Sequence, residues 1–351
     1  LPRASGAAAA VFLIAAALLA GGCGSPEEIY RARFTAMGTL VDVNVAGMPA
    51  SEAAGAAAAV EALFRDREDR WDPWGQGELG TLNSALAEAG EAVPSGDMAG
   101  LLADAAGIST LTDGRFDPAV GTLTRLWGFS SDDKVPTAPP DPAAIADTVA
   151  ALKPVTELLG PDGKISGAAG TLIDLGGFAK GVAVDEAIAL LRARGVSDAI
   201  VNAGGDLRAY GRAGNRPWRI GIRHPRGDGI IAGLEIDGDE SVFTSGDYER
   251  FFELAGRRYH HILDPATGYP APGIRSVTVV NTDAALADAA ATALFVAGAD
   301  DWPEAAGRLG LDQVMVIDDE GRIHLSPAMQ ARLWFPGEGP PGDRIVIRNI
   351  P

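Results

Sequence analysis

Residues 171–206 read TLIDLGGFAKGVAVDEAIALLRARGVSDAIVNAGGD, and their rhythm changes along the way. Thr171-Leu172-Ile173-Asp174-Leu175 is short and apolar, as a buried strand is, and Gly176-Gly177 then makes a tight turn. Over 178–194 the apolar residues fall at 182, 183, 187, 190 and 191, the spacing of one helix face. A second strand is expected over 197–201, before the turn Asn202-Ala203-Gly204-Gly205-Asp206. Two glycines at a strand-to-helix junction let a ligand approach the backbone, and the N–H groups of the first helical turn favour an anion there. Lys180 in that turn would add a cation, although a tight turn with an exposed lysine satisfies the same letters. The spacing is neither G-x-G-x-x-G nor a P-loop.

Downstream, strand-like runs occupy 218–222, 230–236, 241–245, 250–254 and 275–280, followed by an Ala-rich helix over 283–296. Strands in hairpin-like succession predict an α+β fold with a mixed, largely antiparallel sheet and flanking helices. Upstream, 31–47 alternates apolar and polar residues about Met37-Gly38-Thr39, as a hairpin or kinked strand does. An Ala-rich helix is expected over 51–69, then a loop from Trp71 through Pro73 and Trp74 to Gly80. Pro94-Ser95-Gly96-Asp97 starts a helix ending near Gly114, FDPAVGTLTRLWGF at 116–129 begins with a turn, and 130–142 reads as a surface insertion.

With 351 residues, 47% hydrophobic and 22% charged, the chain can bury one large core or two modest ones. Its net charge of −18 repels phosphate backbones, which argues against nucleic acid as a partner. A phosphate-bearing ligand must therefore be held locally, by a metal, a helix N-terminus or a few placed cations. At the N-terminus Arg3, the apolar run 7–20 and Gly21-Gly22-Cys23 follow the pattern of a secretory signal, and the run is too short for a membrane-spanning helix. LLAGGC resembles a lipobox, with Ala20 where Leu is usual. Cys23 is the single cysteine, so lipidation explains a thiol that an internal disulfide cannot. The expected organisation is a signal over 1–22, a lipid-anchored tether over 23–29 and one folded unit over 30–351, exported and held to a membrane through Cys23.

Asp288 and Thr292 lie four apart in a helical segment and project from one face, offering hard oxygens suited to Mg²⁺. A solvated Asp and a Thr bonded to its own helix is the plainer reading of that pair. Two of the four histidines sit in YHHILDPATG at 259–268, where His261 and Asp264 have the chemistry of a general base and its partner. Asp264 also suits a turn before Pro265.

Together, MGT at 37–39, the aromatic-Pro-E-L-N run over 71–83, FDPAVG with LWGF, DLGGFAKGVAVD, VNAGGDL, TSGDYERFF, YHHILDPATGYP and ADAAATALFVAG resemble, in order and approximate spacing, the ApbE family of FAD:protein FMN transferases. The resemblance covers about 33–298. It implies an FAD site that includes Met37, Trp71 in place of a usual tyrosine, Asp117, Pro118, Ala119, Asp174, Lys180 and the Leu263 backbone. It implies a Mg²⁺ site at the Gly177 carbonyl, Asp288 and Thr292; Ala291 stands where some relatives carry a second acid. The implied reaction moves FMN from FAD, the substrate, to a Thr or Ser hydroxyl of an acceptor protein and releases AMP, with His261, held by Asp264 or Asp247, taking the proton. An FAD pyrophosphatase and a non-catalytic flavin-binding lipoprotein are the alternatives.

Overall fold

The computed structural model describes residues 29–130, 136–340 and 342–351. The proposed signal, most of the tether with Cys23, and part of the 130–142 insertion lie outside the described residues.

Strands β1 (Tyr30–Ala36) and β2 (Thr39–Ala46) form the expected hairpin. Its two-residue turn carries positive φ at both Met37 (53°) and Gly38 (67°), the conformation that matches the twist of paired strands. Helices α1 (Ala50–Trp71) and α2 (Glu78–Ala89) follow, then β3 (Glu91–Ala92) and α3 (Gly96–Leu111), whose N-cap Ser95 accepts from Met98 N. A 3₁₀ turn at Pro118–Val120 leads into α4 (Gly121–Leu126), α5 (Pro142–Ala151), α6 (Val155–Leu158) and β4 (Ile165–Ser166). The expected 171–175 strand does not pair with any sheet. Asn83 instead holds Ile173 at both ends, accepting its N–H and donating to its carbonyl at 2.8 Å each, and Asp174 N donates to Pro118 O at 2.7 Å. The segment is extended but stitched to loops.

Helix α7 (Ala179–Ala193) is followed by β5 (Asp198–Ala203), β6 (Asp206–Gly211), β7 (Trp218–Arg223), β8 (Ile230–Ile236), β9 (Gly238–Gly246), β10 (Phe251–Leu254), β11 (Arg257–His260) and β12 (Ile274–Asn281). Helix α8 (Ala284–Arg308) breaks at Gly298, where φ is 81°, close to the end read from the sequence. Strands β13 (Gln313–Asp318) and β14 (Ile323–Leu325), helix α9 (Pro327–Arg332) and β15 (Ile345–Ile347) complete the chain.

The main sheet runs β1-β2-β5-β6-β9-β12-β13-β14-β15, antiparallel throughout except for the β14–β15 pair. Period-two alternation divides it between two cores. Val41, Val43, Val201, Val277, Val279, Val314 and Val316 face α1, α7 and α8. Ile200, Val280, Met315, Ile317 and Leu325 face the β7–β8 hairpin and α9. A third, aromatic cluster of Trp127, Phe129, Phe252 and Leu263 joins α4 and α5 to the β10–β11 hairpin. The α+β class and the mixed, largely antiparallel sheet agree with the sequence reading.

Helices α7 and α8 cross closely because Gly181 has no side chain. A Cβ there would lie 2.3 Å from the Ala284 carbonyl oxygen. That crossing brings the 176–181 turn against the face of α8 that carries Asp288 and Thr292.

Candidate active site

A cavity of about 790 Å³ opens where the 176–181 turn, α8, the β1–β2 turn, the β5–β6 turn and the 259–263 segment converge. The size suits an extended cofactor-sized ligand. Of the residues expected in a site, Met37, Trp71, Asp117, Asp174, Gly177, Lys180, His261, Leu263, Asp288 and Thr292 line it. Pro118, Ala119, Asp247 and Asp264 are not among its lining residues. Pro118 and Ala119 are buried beside it, and Asp117 accepts from Ser109, Ala119 N and Val155 N, which suits a carboxylate whose pKa burial pushes upward.

The anion seat expected at the start of α7 is filled by the protein itself. Gly176 N donates to Asp174 Oδ1 at 2.8 Å, Phe178 and Ala179 N donate to Leu175 O, and Gly181 N donates to Asp288 Oδ2 at 2.9 Å. The carboxylate gripped by the helix terminus is thus Asp288, on the neighbouring helix. Lys180 is not an exposed lysine. Its Nζ lies 2.6 Å from Asp206 Oδ2 and 3.6 Å from Asp288 Oδ1. Burial opposes its charge, but Asp206 and then Asp288 outweigh it and push its pKa up. Burial likewise pushes the Asp288 carboxyl up to about 6, with Lys180 opposing and Asp206 reinforcing the shift.

Thr292 stands one helical turn beyond Asp288. Its hydroxyl is 3.1 Å from that of Ser245, and a Cβ on Gly177 would fall 3.0 Å from it. Backbone at Gly177, the Thr292 hydroxyl and the Asp288 carboxylate therefore share one corner of the cavity, all hard oxygen donors of the kind Mg²⁺ takes. Among the described residues no group of three or more His, Cys, Asp and Glu converges as a metal cluster. A Mg²⁺ ion that keeps its waters and uses substrate phosphate oxygens does not require one.

His261 lies half-buried in the wall, its ring edge-on to Phe129 with centroids 6.5 Å apart. The expectation that Asp264 or Asp247 holds it is not met. Asp264 accepts from Ala266 N at 2.9 Å and from the Thr267 hydroxyl at 3.0 Å, closing its own turn before the glycine. Asp247 is buried and claimed by arginines, Arg226 at 2.7 Å and Arg258 at 3.7 Å, since a desolvated carboxylate needs a countercharge. The partner of His261 is the Arg250 carbonyl, 3.3 Å from Nδ1. A carbonyl only accepts, so Nδ1 carries the proton and Nε2 keeps its lone pair. Burial, followed by the Arg250 guanidinium and the His260 ring, holds the imidazole well below its ordinary range, and hence neutral.

Three contributors escaped the sequence reading. Asp206 sits in the NAGGD motif but was read only as part of a turn. Ser245 and Arg250 belong to TSGDYER, which the sequence marks only as the junction of the strand-like runs 241–245 and 250–254. Trp71 lies beneath the Arg67 guanidinium at 5.2 Å and lines the cavity.

A family model described as the ApbE family matches residues 37–315. The chain is 39% identical over 340 residues to the FAD:protein FMN transferase of Rhodobacter capsulatus, an alignment covering 95% of this chain and 65% of that protein, just under two thirds of its length. It is 35% identical over 302 residues to the FAD:protein FMN transferase of Treponema pallidum, covering 79% and 82% respectively. The crystal structure of the ApbE protein from Thermotoga maritima is similar with a TM-score of 0.78 at 31% identity, over 87% of this chain and 99% of that one. The matched span contains both walls of the cavity, and on these grounds the chain belongs to the ApbE family.

Proposed function

We propose that this protein is a flavin transferase that moves FMN from FAD to a Thr or Ser hydroxyl of an acceptor protein and releases AMP. The observation that carries the reading is the convergence of Gly177, Asp288 and Thr292 in one corner of a cavity that His261 also lines. The names of the relatives support it. In the transfer, the acceptor O–H attacks the phosphorus of the FMN moiety, a new P–O bond forms, and the bond to the AMP oxygen breaks. Neutral His261 offers Nε2 to the departing proton, and the Arg250 carbonyl fixes the tautomer. Trp71 and Met37 supply apolar surface for the ring systems. Asp288, Thr292 and the Gly177 carbonyl would hold Mg²⁺, which supplies charge neutralisation to the diphosphate. The surplus negative charge of Asp206 and Asp288 over Lys180 suits such an ion.

The test is incubation of the purified chain with FAD, Mg²⁺ and an acceptor domain bearing a Thr or Ser site, followed by mass spectrometry. Covalent FMN with AMP is expected. Free FMN with AMP would make the protein a pyrophosphatase, and unchanged FAD would make it a carrier. The anchor at Cys23 belongs to the same proposal and is checked by labelling cells with a clickable fatty acid; a Cys23→Ser variant should take up none.

A further inference from the structure

We propose that Asp206 is a positioning residue for cation uptake, holding Lys180 off Asp288 so that Asp288 Oδ1 stays available to a divalent ion. The inference rests on the reading of Gly177, Asp288 and Thr292 as a metal seat and adds a residue outside that seat.

Asp206 opens β6, directly after the Gly204-Gly205 turn, and is buried. Its two oxygens have separate tasks. Oδ1 accepts from Thr244 N at 2.9 Å, which fixes the carboxylate against β9, and Oδ2 takes Lys180 Nζ at 2.6 Å. Asp288 is divided in the same way: Oδ2 accepts from Gly181 N at 2.9 Å, while Oδ1 lies 3.6 Å from the ammonium, beyond direct hydrogen-bond length. The lysine is therefore committed to the carboxylate that does not serve the ion.

Two physical effects follow with the same sign. Without the Asp206 charge, the half-buried ammonium has Asp288 as the remaining carboxylate within ion-pair reach and closes on Oδ1, competing with the ion. The trio also loses its one surplus negative charge, so the field that draws a cation disappears. Removing the lysine charge as well restores that surplus and frees Oδ1, and a purely structural role for Asp206 makes no such prediction.

The experiment measures Mn²⁺ binding to the purified full chain, with FAD at a concentration that flavin fluorescence shows to saturate each variant, from the paramagnetic resonance signal of the free ion. Unfolding midpoints are measured in parallel. Asp206→Asn keeps an oxygen for Thr244 N and should weaken binding about tenfold or more. The double variant Asp206→Asn with Lys180→Met should return to within about threefold of the unmodified chain. Lys180→Met alone should bind more tightly than the unmodified chain, which keeps the test open even if Asp206→Asn fails to fold. Equal binding by Asp206→Asn, a double variant as weak as the single one, or weaker binding by Lys180→Met overturns the inference and leaves the metal seat standing. An unmodified chain that takes up no Mn²⁺ removes the seat and this inference together.

Discussion

The N–H of Gly181 donates to Asp288 Oδ2 at 2.9 Å, so the first turn of one helix secures the carboxylate of another. Asp288→Ala leaves that buried N–H without a partner and Lys180 with one carboxylate fewer. A loss of about 1–3 kcal/mol in folding stability is expected, visible in chemical denaturation. Asp288→Asn keeps an acceptor oxygen and should cost less stability while lowering FMN transfer by about a hundredfold or more.

Gly181→Ala tests the helix crossing. The new Cβ would meet the Ala284 carbonyl oxygen at 2.3 Å, and both atoms beside it belong to helix backbone that cannot swing aside. Forcing α7 and α8 apart should cost about 1–3 kcal/mol and displace the Gly177 turn from the Asp288 and Thr292 face of α8. A crystal structure of the variant would show the helices separated; an unchanged interaxial distance with full stability would refute the reading.

Asn83→Ala removes the amide that holds Ile173 on both sides, leaving a buried N–H and a buried carbonyl unpaired. About 2–4 kcal/mol of stability should be lost. Because the segment carries Asp174 and the glycine turn into the cavity, the half-saturating FAD concentration should rise as well, measured by flavin fluorescence titration.

The rate profile should report a base that is already neutral. With His261 held well below 6.5, the transfer rate should stay flat as pH falls from 8 through 6.5 and decline only in more acidic solution. His261→Gln should lower the rate by about 10²- to 10⁴-fold near neutral pH, and the acidic limb that remains should be that of the Asp288 carboxyl, which burial pushes up to about 6. A limb centred on 6.5 in the unmodified chain would show an ordinary imidazole.

His260, buried beneath Phe295, governs stability rather than rate. Burial lowers its pKa to about 4, so the folded state keeps it neutral while the unfolded chain takes up a proton from about pH 6.5 downward. Its contribution is constant above 6.5 and is lost as pH falls towards 4, at up to about 1.4 kcal/mol per pH unit. Urea denaturation at stepped pH should show a flatter dependence for His260→Gln across that window.

The parts of the site that were legible in the sequence are those set by short spacing. The Gly176-Gly177 turn, the Asp288 and Thr292 pair on one helix face, and the β1–β2 hairpin each lie within a few residues, where backbone geometry dictates the outcome. Asp206 was not legible as a partner because Lys180 is a helix and a strand away and only tertiary packing joins them. Asp264 beside two histidines, and Asp247 in the preceding motif, have the chemistry of base partners, but side chains internal to the turn claim the first and arginines remote in sequence claim the second. Strands β6 and β13 escaped because DLRAYG and QVMVID are buried on both faces, so no alternation marks them. The 171–175 segment shows the converse, since its apolar letters served a loop pinned by Asn83.

The strand order carries a lesson about how the chain comes to exist. The β1–β2 hairpin is complete by Ala46, yet the neighbour that covers the open edge of β2 is β5, beginning at Asp198. As the polypeptide emerges during synthesis, that edge therefore stays bare while α1 through α7 are made, an exposed template for mispairing. Such distant closure is slow relative to local helix formation. A nascent protein of this design has good reason to meet a holding chaperone before its first sheet can zip shut.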